Sequence, residues 1–204
     1  MHLLMLSINW TGWTYDTLTR EQKALAAQLE SQGHRVTFHG PGFTYDTNHV
    51  PTILQRLRER GQTVDMILCF QSEFGLLGPM SKEVCRRWQV RHDLARFPVG
   101  LDQVQGIPKV LWNNDFWHLT QAQWDQAILC NGFADVLATY TPPYLSLEQF
   151  NQTYSDSVRQ QVRFHALPRG VDNSLYYDRQ SERDIDVCLL GAMGDFYPLS
   201  QSVS

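Results

Sequence analysis

With 204 residues, 43% of them apolar, 19% charged and six tryptophan, the chain has enough aliphatic and aromatic surface to offset the entropy of ordering, which excludes a disordered protein. The length suits one well-buried domain of about 150 residues plus a remnant. The formal net charge is −4, and Lys and Arg are dispersed apart from groups at 56–60 and 86–91, so no nucleic-acid footprint is present.

The first element is a continuous apolar run from His2 to Ile8, the pattern of a strand covered on both faces in a parallel sheet. Thr19-Arg-Glu-Gln22 matches a capping box, and Leu18, Ala24, Leu25 and Leu29 then predict a helical stripe ending at Gly33. Arg35 to His39 is a second strand, broken by Gly40-Pro-Gly42 ahead of a loop with Tyr45 and Asp46. Val50, Ile53, Leu54 and Leu57 mark a helix from Val50 to Arg60, closed by Gly61, and Val64 to Phe70 is a third strand. From Gln71 to Gly106 the pattern is less regular, with a helix expected within Ser81 to Arg91 and a loop over Phe97 to Gly106.

Lys109 to Trp112 predicts a fourth strand, Thr120 to Leu129 a helix, and Ala134 to Thr139 a fifth strand stopped by Thr141-Pro-Pro143. A helix within Leu145 to Gln152, a strand-like Val162 to Leu167 and the turn Pro168-Arg-Gly-Val-Asp172 complete a first domain over residues 1–170. Asp184 to Gly191 reads as the first strand of an incomplete second domain within 171–204. Strands alternating with helices predict an α/β fold, a Rossmann-like doubly wound parallel sheet.

Cys69, Cys85, Cys130 and Cys188 lack the paired spacings of a zinc site and are read as reduced thiols. The N-terminus has no basic flank and too short an apolar run for a signal peptide or membrane span, so a cytoplasmic protein is expected. The sequons at Asn9 and Asn151 are then coincidental.

In such a sheet, ligands sit beyond the carboxyl ends of the strands. After the first strand, Trp10 and Trp13 flank Gly12, and flat indole faces can cover the C–H surface of a sugar ring while Asn9 and Thr11 bond its hydroxyls. The alternative is that both indoles close the top of the core. After the third strand, Glu73 offers a carboxylate, which otherwise is a solvated loop residue. The loop after the fourth strand is richest, with Asn113, Asn114, Asp115 and His118 between Trp112 and Trp117. A carboxylate beside an imidazole can act as general base for a hydroxyl nucleophile. The alternative is an N-capping aspartate with a histidine on the first helical turn. Two such ligands are too few for a structural metal site, and no metal is assigned. Asp184 and Asp186 read as a polar strand start, and Gly191 to Gly194 is a weak phosphate-loop signal, with no helix after it to hold an anion.

Leu29-Glu-Ser-Gln-Gly33-His34-Arg-Val36, Leu167-Pro-Arg-Gly170-Val171-Asp172 with Tyr176 and Tyr177, and Asp184-Ile-Asp186-Val-Cys-Leu-Leu-Gly191 occur in the order seen in one enzyme class. Together they resemble the GT-B nucleotide-sugar glycosyltransferases, in particular the spore-maturation-type group. The resemblance implies that the chain is the N-terminal half of a GT-B architecture, the side that chiefly faces the acceptor. It further implies an interdomain or donor-side role for Arg169, Gly170, Asp172, Gly191 and Gly194. Most donor contacts belong to the family's C-terminal domain, so the chain is expected to be inactive alone and to need that domain, on a separate chain if not its own. The implied substrates are a nucleotide-sugar donor and a glycan or other hydroxyl acceptor, with no cofactor. Two other readings are a non-catalytic glycan- or protein-binding module and a metal-dependent hydrolase using Asp115 and His118.

Overall fold

A computed structural model describes residues 1–12, 16–70, 76–113, 119–138 and 143–166. All lie in the first of two units, Met1–Arg169 and Gly170–Ser204. The turn at 168–172, the strand expected at 184–191 and the glycines that follow it lie outside the described residues.

Six strands form one sheet: β1 His2–Ser7, β2 Arg35–His39, β3 Met66–Phe70, β4 Lys109–Asn113, β5 Asp135–Ala138 and β6 Arg163–Ala166. Their order is β2-β1-β3-β4-β5-β6, and every neighbouring pair is parallel. The helices are α1 Asp16–Ser31, α2 Val50–Glu59, α3 Lys82–Arg87, α4 Gln121–Leu129, α5 Pro143–Thr153 and α6 Asp156–Gln161, with single 3-10 turns at His92–Leu94 and Leu101–Gln103. The expected α/β, Rossmann-like, doubly wound sheet is what the chain forms.

Alternation along the strands sorts side chains to two apolar layers. On one face Leu4, Leu6, Ile67, Cys69, Leu111 and Val136 are fully buried and meet Val50, Ile53 and Leu57 of α2, Trp124, Ala127 and Ile128 of α4, Phe150 of α5 and Val158 of α6. Each fully buried Leu or Ile there contributes about 1.5–3 kcal/mol relative to an exposed one. On the other face Leu3, Met5, Leu68, Phe70 and Val110 meet Leu25 and Leu29 of α1.

Three local expectations change. Helix α1 begins before the presumed capping box, so Thr19 and Gln22 are interior residues, 1% and 0% exposed. Thr19 Oγ1 accepts from the Trp10 backbone N–H at 2.6 Å. The inward face runs through Thr19, Gln22, Leu25, Ala26 and Leu29, and of the expected stripe Ala24 faces outward. Phe97 to Gly106 is not a plain loop: Phe97 and Leu101 are fully enclosed in the first layer. Helix α6, which follows Ser155 as its N-cap (Oγ accepting from Val158 N–H at 3.3 Å), was not anticipated.

Candidate functional site

The strand order fixes where a ligand site belongs. Chain leaving β1 goes to β2 on one side, and chain leaving β3 goes to β4 on the other, so the topological switch point lies between the carboxyl ends of β1 and β3. Trp10 and Gly12 follow β1, and Trp13 and Glu73 belong to these same two loops in sequence but lie outside the described residues.

The segment after β1 is tied down by its own polar groups. Asn9 donates from Nδ2 to Gly42 O at 3.0 Å, accepts at Oδ1 from Thr11 N–H at 3.0 Å, and donates from its backbone N–H to Pro41 O at 2.9 Å. Its carboxamide thus joins two rim loops rather than reaching outward to hydroxyls. Trp10 packs half-buried against the first apolar layer, so its ring closes the top of the core. Gly12 has φ +75°, and a Cβ there would meet the Arg87 guanidinium at 2.7 Å. Arg87 donates to Thr11 O at 2.8 Å.

Asn113, the last residue of β4, is 0% exposed, and its Nδ2 donates to the Tyr154 hydroxyl at 2.8 Å. Tyr154 is itself fully buried, with its ring edge-on to Trp124 at 5.7 Å and tilted on Phe150 at 4.9 Å. A buried amide is held in one orientation by such a bond. Asn113 therefore anchors the rim from inside. Asn114, Asp115 and His118 come directly after it and lie outside the described residues, as do Arg169, Gly170, Asp172, Gly191 and Gly194.

Where β2 ends, the described rim forms a cavity of about 460 Å³ that the sequence did not announce. Its walls include Phe43, Tyr45 and Asp46 from the loop after β2, and Trp88, Gln89 and Arg91 from the loop after α3. The turn that carries the first wall depends on glycine. At Gly40, φ is +142° and a Cβ would sit 2.0 Å from Ser7 O; at Gly42, φ is +80° and a Cβ would sit 2.7 Å from the Trp88 ring. The aromatic planes are fixed from behind. Phe43 stacks on Phe38 at 4.8 Å, and Tyr45 stands edge-on to Phe97 at 5.1 Å. The Tyr45 hydroxyl donates to Leu94 O at 2.5 Å, and burial pushes its pKa upward, so it stays protonated. Arg87 lies 5.4 Å from the Trp88 ring centroid, within cation–π range.

Behind this loop His39 is 4% exposed, and burial holds its pKa below the ordinary 6.5, outweighing the bond to Thr47 and the charge of Asp46. Its Nε2–H donates to Thr47 O at 2.7 Å. Asp46 pairs with Arg56, and Arg91 pairs with Asp93 at 2.7 Å. A second cavity, about 330 Å³ and lined by Thr63, Asp65 and Gly106 among others, opens at the amino ends of β3 and β4, away from the functional rim.

Comparison with protein-family models, with curated proteins and with solved structures returns no match. Among the described residues, no group of three or more His, Cys, Asp or Glu is placed to hold a metal ion, and no helix is long and apolar enough to cross a membrane. Cys69, Cys85 and Cys130 form no disulfide among the described residues.

Proposed function

We propose that this chain is the acceptor-side domain of a GT-B nucleotide-sugar glycosyltransferase whose donor contacts come from a second domain. The observation that carries the reading is the Asn113–Tyr154 bond, which pins the carboxyl end of β4. That end is the start of the segment holding Asn114, Asp115 and His118, so a stretch with carboxylate, imidazole and amide together leaves the sheet from its functional rim. The three ordered sequence segments that resemble the family support the same reading.

In the reaction, an acceptor hydroxyl attacks the anomeric carbon of the donor sugar. A new carbon–oxygen bond forms there as the bond to the nucleoside diphosphate breaks, and the diphosphate leaves with the bonding electrons. The Asp115 carboxylate takes the hydroxyl proton, with His118 as its neighbour, and the second domain stabilises the charge on the leaving diphosphate.

The test is sugar transfer from radiolabelled UDP- and GDP-sugars, measured for the 204-residue chain and for the chain joined to a GT-B donor domain. Transfer is expected only from the joined protein, reduced roughly 10²–10⁴-fold by Asp115→Asn. Full transfer by the chain alone overturns the division of labour, and an undiminished Asp115→Asn rate overturns the assignment of the base.

A further inference from the structure

The cavity at the end of β2 has a wall that costs stability to keep. Helix α3 closes with paired bonds from Val90 N–H to Cys85 O at 2.8 Å and from Gln89 N–H to Arg86 O at 3.4 Å, a Schellman motif with Gln89 in the position that glycine usually fills. Gln89 has φ +49°, and among the described residues it is the single non-glycine with positive φ. A side chain in that conformation costs on the order of 1 kcal/mol relative to glycine. The Gln89 side chain is exposed, and its carboxamide makes no hydrogen bond with the described residues, so the side chain itself does nothing to offset that cost. It lines the cavity instead.

The remaining walls define what fits. Phe43, Tyr45 and Trp88 offer rigid flat faces, suited to the C–H surface of a saturated ring. Among them stand one carboxylate, Asp46, and one guanidinium, Arg91, each already paired with an opposite charge, so neither an anion nor a cation finds an uncompensated partner. Groups that both donate and accept suit an amide, a carboxylate and a guanidinium together, and neutral hydroxyls do both. The volume lies within the range of about 300–1,000 Å³ typical of small-molecule sites. We propose that this cavity binds a neutral carbohydrate, its ring against the aromatic walls and its hydroxyls on Gln89, Asp46 and Arg91. This site is separate from the segment after β4 and does not rest on glycosyl transfer.

The experiment follows the tryptophan indole N–H signals of the full chain by NMR, with the Trp88 signal assigned by its loss in Trp88→Phe. Maltotriose and triacetylchitotriose are titrated separately, with uridine and inorganic phosphate as contrasts and no donor present. At least one trisaccharide is expected to shift the Trp88 signal. Gln89→Gly is expected to unfold at the same or higher urea concentration while binding that sugar roughly tenfold more weakly. The proposal is overturned if neither trisaccharide moves the Trp88 signal, if uridine or phosphate moves it in their place, or if Gln89→Gly binds the sugar as tightly as the parent.

Discussion

Asn113 and Tyr154 are 41 positions apart, yet the amide of one donates to the hydroxyl of the other at 2.8 Å, joining the last residue of β4 to the residue that follows α5. Both are fully buried. Removing the hydroxyl in Tyr154→Phe takes this bond away from the buried Asn113 amide and should cost about 1–3 kcal/mol. Urea denaturation should show that loss with an unchanged dependence on denaturant, since the surface exposed on unfolding is the same.

The two glycines Gly40 and Gly61 both have positive φ, but their surroundings differ. A Cβ at Gly40 would stand 2.0 Å from a backbone oxygen of β1, whereas a Cβ at Gly61 meets nothing within 4 Å. Gly61→Ala is therefore expected to cost only the conformational term, about 1 kcal/mol. Gly40→Ala must push β1 and the loop after β2 apart and should cost more than about 4 kcal/mol or leave the chain unfolded. Thermal melts of the pair check this, and equal shifts would contradict the close approach.

The carboxamide of Gln22 is fully buried on α1, with neither its oxygen nor its nitrogen bonded to any of the described residues. Gln22→Met keeps the length of the side chain and removes the buried polar groups, so stability should hold or rise by about 1 kcal/mol. A clear loss in a denaturant titration would show that the amide has a stabilising role.

His39 supplies a pH dependence whose sign is fixed. Its folded pKa lies below the 6.5 of an unfolded histidine, so between those values the unfolded chain binds the extra proton. Stability from this group is complete above pH 6.5 and is lost as the pH falls toward the folded value. His39→Gln keeps a donor for Thr47 O, and the difference in unfolding free energy between parent and variant should change with pH only below that point. A difference independent of pH would show that burial does not perturb His39.

At the other end of the sheet Asp135 accepts from Arg163 and from His165, both at 2.8 Å. Burial alone raises its pKa, but these two bonds outweigh it and hold the carboxyl below the ordinary 3.8. Stability from Asp135 is thus present above pH 3.8 and lost as the pH falls through the folded value, so Asp135→Asn should flatten the acid limb of the unfolding curve.

The same short pattern shows why only part of this was legible in the sequence. Thr120-Gln-Ala-Gln123 and Thr19-Arg-Glu-Gln22 both read as capping boxes. At Thr120 the reciprocal bonds form, because the helix starts there. At Thr19 the helix has already started, and the hydroxyl serves Trp10 in the preceding loop. Local pattern thus located both helices but did not fix where α1 begins, which depends on a contact made in three dimensions. The apolar runs of β1 and β4 were readable because both faces of each strand are covered, leaving no alternation to interpret. The cavity was not readable: glutamine carries no signal for a left-handed backbone, and Gln89 adopts one because the end of α3 imposes it.

Lys109 opens β4 with its ammonium enclosed, 7% exposed, donating to Leu101 O at 2.9 Å and Val104 O at 3.2 Å. An amine so placed is out of reach of acylating reagents while surface lysines such as Lys23 and Lys82 are not. The chain thereby carries its own chemical reporter: acylation of Lys109, the first residue of β4, counts the moments when the amino end of the sheet opens, the end opposite the rim proposed to hold sugar.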